Sequence, residues 1–284
     1  MCSISGICNF EKRPSPQIVE IMTKSLSHRG PDDKGFFNNE NISLGHNRLS
    51  IIDLKKSKQP MQDQQNRNVI IFNGEIYNFK ELKEELKLLG HKFDTDGDTE
   101  VVLKSYNQWG TECLKKLAGM FVFCIWDDQK KYLFIARDKF GEKPLFYYFS
   151  KKYGFMFSSE VRSFLQVDDI KNSLKLNSES INEYLSLNYL INDKTFFNEI
   201  KSLSPSSYII LNSKNYGKKV LINKYWFLED FFKKKTNDSF VEASKKLNFL
   251  LEKSIKQKMF SDVNNGVFLS GGIDSSAISL KLKK

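Results

Sequence analysis

The sequence is poor in the residues that build metal sites and disulfide frameworks. It has four cysteines, Cys2, Cys8, Cys113 and Cys124, and three histidines, His28, His46 and His91. There is no C-x-x-C pair and the histidines stand far apart, which excludes the common zinc spacings. The same scarcity argues against a disulfide-stapled secreted domain and for a cytoplasmic chain with free thiols. Long apolar runs are missing too. The longest, "MFVFCIW", is far shorter than the roughly 20 residues a bilayer crossing needs, so no membrane partner is expected. No basic stretch followed by an apolar one opens the chain, and no signal peptide is expected. Internal repeats and low-complexity segments are absent.

What is present suits one large domain, or one domain and part of another: 284 residues, 40% apolar and 27% charged. The net charge of +10 comes almost entirely from scattered lysines, in runs such as "KKK" and "KLKK". Nucleic-acid binders concentrate arginine and aromatics on one stripe. This charge therefore reads as solvated surface, and no nucleic-acid partner is expected.

Periodicity places a strand at 3–9, a helix at 17–27 and a turn at 28–33. Residues 42–53 alternate like paired strands. Residues 69–78 read as a buried strand ending in a turn at Asn73-Gly74. Helices follow at 79–89, stopped by Gly90, and at 96–110, with Asp98 or Thr99 near the cap. Four strands are expected near 120–127, 131–137, 145–149 and 153–158. Strands, two helices and more strands predict a two-sheet layered α+β domain. Further on come a helix at 178–187, strands at 207–212 and 219–226, a linker at 231–239 and a helix at 239–258. "NGVFLSGGIDSSAISL" (265–280) then reads as strand, glycine turn and helix, the opening of an α/β unit.

The chemistry starts at "MCSISG". Once Met1 is trimmed, Cys2 carries a thiol and a free α-amine on one carbon. The amine, with an ordinary pKa of roughly 7.7–8.0, can take the thiol proton at cell pH, so no histidine is required. Asn73 can offer a side-chain N–H and Gly74 a backbone N–H, two donors for an oxyanion. Arg48 can fork onto a carboxylate. Asp98 can hold an ammonium. Each also has an ordinary reading: a hairpin turn, a surface arginine, a helix cap. Together they describe a ligand with a carboxylate, an ammonium and an attackable amide, which is glutamine.

"MCSISGI", "HRGPDD", "HNRLSIID", "FNGEIYN", "DGDTEV", "GMFVFCIWD", "RDKFGEKPLFYY" and "FSSE" stand in the order found in class II glutamine amidotransferases. Within them the chain most resembles the glutamine-hydrolysing asparagine synthetase family. The resemblance implies a four-layer αββα N-terminal-nucleophile hydrolase domain over residues 2–210. It also implies a connecting segment over 211–238 and, over 239–284, the incomplete start of an α/β ATP-pyrophosphatase domain. Cys2 is then the nucleophile and Asn73 and Gly74 the oxyanion donors. Arg48 is the carboxylate clamp, with Leu49, Ser50, Ile51 and Ile52 as pocket wall, and Glu75 and Asp98 hold the amine. No direct chemistry is claimed for "HRGPD" or "RDKFGEKPL".

The second signature is "SGGIDSS". Gly271 and Gly272 let the backbone approach a phosphate, the helix start favours negative charge, and Ser270, Ser275 and Ser276 add hydroxyls. It resembles the pyrophosphate loop of ATP pyrophosphatases, with Leu269 against the nucleotide. Asp274 is a candidate for Mg²⁺ brought with ATP, and no other metal site is expected. The implied partners are glutamine, ATP and aspartate, with a homodimer left open and no cofactor for glutamine hydrolysis. The aspartate site is expected to be absent from this chain, and residues 239–284 to be poorly supported. Alternatives are an amidotransferase acting on another carboxylate, such as a sugar acid, and a non-catalytic remnant.

Overall fold

The computed structural model describes residues 1–63, 65, 67–233 and 235–282. In chain order it opens with β1 (Ser3–Cys8), α1 (Pro16–Lys24), β2 (Asp33–Asn38) and β3 (Ile42–Arg48). Next come β4 (Met61–Asp63), β5 (Asn68–Ile76), α2 (Phe79–Leu88), α3 (Asp98–Trp109) and α4 (Cys113–Lys116). The strands β6 (Gly119–Asp127), β7 (Tyr132–Arg137), β8 (Phe146–Ser150) and β9 (Gly154–Ser158) follow. After them stand α5 (Asp168–Ser173), α6 (Ser178–Leu187), β10 (Lys201–Ser202), β11 (Ser207–Asn212) and β12 (Ile222–Lys224). The chain finishes with α7 (Glu229–Phe232), α8 (Phe240–Lys258) and α9 (Ile273–Leu282).

Two six-stranded sheets form, ordered β10-β8-β9-β1-β3-β2 and β12-β11-β7-β6-β5-β4. Their strand pairs are antiparallel. The period of two in β5 and β6 explains the layering. Val69, Ile71, Val122, Cys124 and Trp126 face the first sheet and pack on Ile4, Ile42, Leu44 and Phe157. Their alternates Ile70, Phe72, Phe123 and Ile125 face α2 and α3, meeting Leu82, Leu86, Val102 and Tyr106. On the far side of the first sheet, Ile7 and Met156 pack under Val19 and Met22 of α1 and Ile170 of α5. Helix, sheet, sheet, helix is thus the observed order. Strands covered on both faces lose the apolar–polar alternation of a half-exposed sheet. Among the described residues no helix is long and apolar enough to cross a membrane.

Three expectations change, and a strand appears that was not expected. Residues 42–53 give one strand, β3, and then a loop, because the carbonyls after Arg48 serve its guanidinium instead of a ladder. Asn73-Gly74 is not a turn: both lie inside β5, opposite Val122 and Phe121. Strand β2 was not anticipated, since "DKGFFN" is polar and half-exposed at a sheet edge. No strand forms at 265–269, and Phe268 is fully exposed. A strand needs a neighbour's ladder, and none of the described strands lies beside this segment.

Candidate active site

β1 and β3 run side by side, with Ser3 opposite Asn47, so Cys2 and Arg48 emerge together at one end of the first sheet. β5 brings Asn73, Gly74 and Glu75 to the same end of the second sheet. The first turn of α3 supplies Asp98. Between them lies a cavity of about 280 Å³. Cys2, Arg48, Leu49, Ile51, Ile52, Asn73, Gly74, Glu75 and Asp98 all line it. Ser50 does not; its N–H donates to Asp32 Oδ2 at 2.7 Å, away from the lining.

The Cys2 thiol is fixed by the chain after β3. Leu49 N–H donates to Sγ at 3.3 Å, and Sγ lies 3.5 Å from Leu49 O. Burial pushes the thiol up, while the Leu49 N–H, the N-terminal ammonium and Arg48 pull it down. Burial also lowers the N-terminal amine of Met1 from its ordinary value. Met1 lines the cavity, its Sδ 3.6 Å from Lys143 Nζ. Arg29, from the "HRGPD" stretch, donates from Nε to Cys2 O at 3.1 Å and from Nη1 to Glu160 at 2.9 Å. It anchors the start of the chain. No histidine lines the cavity; His46 is fully buried, within 3.0 Å of Phe72 O, and burial lowers it to about 4, so it is neutral.

Arg48 is buried, and its terminal nitrogens donate to Ile52 O, Asp53 O and Leu54 O at 3.3, 2.7 and 3.2 Å. These bonds fix the plane of the guanidinium of a residue that lines the cavity. Asn73 is 1% exposed and its Nδ2 has no partner among the described residues. A buried donor left unpaired costs about 1–3 kcal/mol, a cost a bound oxygen would remove. Gly74 is required by packing: a Cβ there would sit 2.3 Å from Met120 O and 2.7 Å from Phe121 Cα. Glycine therefore serves strand pairing, and not merely access to a ligand.

Asp98 and Glu75 are the acidic end. Burial pushes Asp98 up to about 7; the Ile76 N–H, donating to Oδ2 at 3.0 Å, works against it, and nearby Glu75 adds to it. Glu75 is raised by burial, with Lys143 and Lys258 opposing. Two carboxyls whose ionisation burial opposes are stabilised as carboxylates by a cation placed beside them.

Lys143, Gln59, Ser57, Thr99, Phe72 and Met120 also line the cavity and were not anticipated. Lys143 is 6% exposed. It is placed by Asp138, whose carboxylate accepts N–H bonds from Phe121, Phe140, Glu142 and Lys143 at 3.0–3.2 Å. Arg137 closes the same turn, donating to Lys143 O at 2.7 Å and Gly141 O at 2.6 Å. The "RDKFGEKPL" stretch is thus a self-bonded turn that delivers one lysine. Gln59 links the walls: Oε1 accepts the Phe72 N–H at 2.6 Å and Nε2 donates to Thr99 Oγ1 at 3.3 Å.

The sequence falls into known families at this point. A "Glutamine amidotransferase domain" description matches residues 1–226 and an "Asparagine synthase" description residues 246–284. A putative glutamine-hydrolysing asparagine synthetase 2 of Methanocaldococcus jannaschii is 36% identical over 98% of this chain and 56% of its own length. The chain belongs to the glutamine amidotransferase family. Asparagine synthetase 3 of Bacillus subtilis is 35% identical, with 98% of this chain and 45% of that protein covered. Asparagine synthetase B of Escherichia coli is 33% identical, with 100% and 45% covered. The chain spans about half the length of these relatives. A solved glutamine phosphoribosylpyrophosphate amidotransferase from B. subtilis shares the fold at TM-score 0.59 and 18% identity, over 99% of this chain and 64% of that one. The two antiparallel sheets between helical layers are the fold shared with that amidotransferase.

The second signature is arranged differently. Ser270 Oγ lies 3.0 Å from Ser275 Oγ, Ser275 Oγ donates to Gly272 O at 3.1 Å, and Ser276 N–H donates to the same oxygen at 3.0 Å. Gly271 takes φ +81 and α9 starts two residues later. Leu269 and Asp274 are exposed. Among the described residues no three His, Cys, Asp or Glu cluster as a metal site.

Proposed function

We propose that this chain hydrolyses glutamine at the Cys2 cavity, as the ammonia-producing half of a cytoplasmic asparagine synthetase. The observation that carries the reading is the unpartnered Asn73 Nδ2 in the same cavity as the Cys2 thiol. The fixed Arg48 guanidinium suits the α-carboxylate of glutamine, and Asp98 with Glu75 suits its ammonium. A ligand so held has its side-chain amide between the sulfur and the Asn73 and Gly74 donors.

In this scheme Met1 is removed and the freed Cys2 amine takes the thiol proton. The sulfur attacks the amide carbon, and the oxyanion is stabilised by Asn73 Nδ2 and Gly74 N–H. The amine returns the proton to the leaving nitrogen, ammonia departs, and water cleaves the glutamyl thioester to glutamate. The Gly271-Gly272 loop and the hydroxyls of Ser270, Ser275 and Ser276 suit the phosphates of ATP, with Leu269 beside the nucleotide. ATP with Mg²⁺ would activate aspartate in a part of the protein beyond this chain. Asparagine as product is supported by the names of the relatives.

Glutamate release from glutamine tests the reading. The chain should release glutamate, Cys2→Ala should lose at least about 10³-fold, and the mass of the active form should lack Met1. Equal rates in the two proteins would remove Cys2 as nucleophile. An active protein that retains Met1 would remove the amine as base.

A further inference from the structure

The segment leaving α8 comes back to the rim of the cavity. Phe260 packs on Phe79 with ring centroids 5.2 Å apart, and Lys80 Nζ lies 3.5 Å from the Phe260 ring centre. Lys258 Nζ lies 5.0 Å over the ring of Tyr77. Two residues past Phe260, Asp262 makes a reciprocal clip with the loop after β3. Its N–H donates to Ile51 O at 3.0 Å, and its Oδ2 accepts the Asp53 N–H at 2.7 Å.

That loop is the one whose carbonyls hold Arg48, through Ile52 O, Asp53 O and Leu54 O. Asp53 stands in the left-handed region, φ +48, which aspartate enters more readily than most side chains. Its own carboxylate accepts from Lys56 N–H, Asp96 N–H and Ser57 Oγ at 3.0, 2.9 and 3.2 Å. The loop is therefore held from inside by the Asp53 carboxylate and from outside by Asp262. Ile51 and Ile52 line the cavity as well.

We propose that Asp262 is a positioning residue for the glutamine pocket, clipping the 51–54 loop so that Arg48 presents its guanidinium to the ligand carboxylate. The inference rests on the reading of Arg48 as the carboxylate clamp. Ile52 O and Asp53 O occupy Nη2 and, with Leu54 O on Nη1, fix the plane of the guanidinium, so loosening them lets the charge turn away from the ligand carboxylate and weakens binding without touching the sulfur. It also gives the second signature a physical connection to the first site, since Asp262 lies on the strand of chain between α8 and the glycine loop at 270–276.

The test uses the full chain with Asp262→Ala and Asp262→Asn. Asn keeps an oxygen for the Asp53 N–H; Ala does not. Hydrogen exchange of a peptide spanning residues 49–57 reads the clip without any reaction. Faster exchange in Ala and near-wild-type exchange in Asn are expected, and unchanged exchange in Ala overturns the clip. Glutamine hydrolysis reads the consequence. KM should rise about 5- to 30-fold in Ala, the loss of one charge-assisted hydrogen bond, with kcat within about twofold and recovery in Asn. A fall in kcat at constant KM, or an unchanged KM, overturns the positioning role. A wild-type chain with no Cys2-dependent hydrolysis overturns the glutaminase reading itself, and the positioning role falls with it.

Discussion

Gly74 and Gly271 both stand where a ligand is expected, in opposite surroundings. Gly74 is locked in the β5–β6 pair, with Met120 O 2.3 Å from where a Cβ would go. Gly271 takes φ +81 with nothing within 4 Å of that position. Around Gly74 the neighbours are fixed: Asn73 buried, Asp98 buried, Arg48 tied to three carbonyls. Around Gly271 the hydroxyls of Ser270 and Ser275 bond each other, and Phe268 is wholly exposed. The Cys2 cavity holds its donors in place, at the cost of unpaired and desolvated groups. In the glycine loop the hydroxyls of Ser270 and Ser275 bond each other and the Gly272 backbone, bonds that a phosphate would have to replace. Preorganised donors stabilise developing charge better than donors that must first be freed.

The contrast can be broken most strongly at Asn73. Asn73→Ala should lower kcat for glutamine hydrolysis by about 10²–10³-fold. Its Tm should not fall, because Nδ2 has no partner to lose. A large fall in Tm would mean that Asn73 serves the fold. Next comes Gly74→Ala, which should destabilise by about 3 kcal/mol, since the obstacle is the backbone of the partner strand β6. Urea unfolding measures it; a cost below 1 kcal/mol, on the order of an ordinary surface change, would mean that the strands part easily.

Asp98→Asn sharpens the comparison through pH. The Asp98 carboxyl holds its proton up to about 7, against an ordinary 3.8, because it is buried. Between those values the folded state binds more protons than the unfolded one, so stability falls as pH rises through the window and the full cost stands above it. At pH 8 Asn should therefore raise Tm by about 2–4 °C, while KM for glutamine rises about tenfold or more for want of the charge. In the wild type, KM should climb as pH falls below about 7. A lower Tm in Asn, or a pH-independent KM, would contradict this. The smallest effect belongs to Gly271→Ala. It should move the main unfolding transition by less than about 2 °C, since the strain of a left-handed alanine is local and exposed.

Much of the fold could be read from period and punctuation. The helix at 178–187 and the strand at 207–212 agree with their observed limits, because caps and alternation are local signals. Asn73-Gly74 misled because a dipeptide that prefers turns was overruled by nine paired positions of β5 on β6. Cys2, Arg48 and Asp98 could be singled out as charged or nucleophilic residues flanking predicted elements. Lys143 and Gln59 could not. They reach the cavity through a turn fixed by Asp138 and a cross-link between Phe72 and Thr99, contacts without a sequence period. The strand expected at 265–269 failed for the converse reason: its pattern is local but its ladder is not.

In the proposed reaction one thiol, at the head of the mature chain, works on a bound glutamine. Labelling with a glutamine analogue that carries an electrophile on its side chain tests it directly, read by peptide mass. Cys8, Cys113 and Cys124 are buried, and burial raises each thiol far above its ordinary range. The account predicts one label per chain, on a Cys2 that has lost Met1, slowed by glutamine in the same concentration range as its KM. Labelling elsewhere, or at Cys2 at a rate that glutamine does not change, would contradict it.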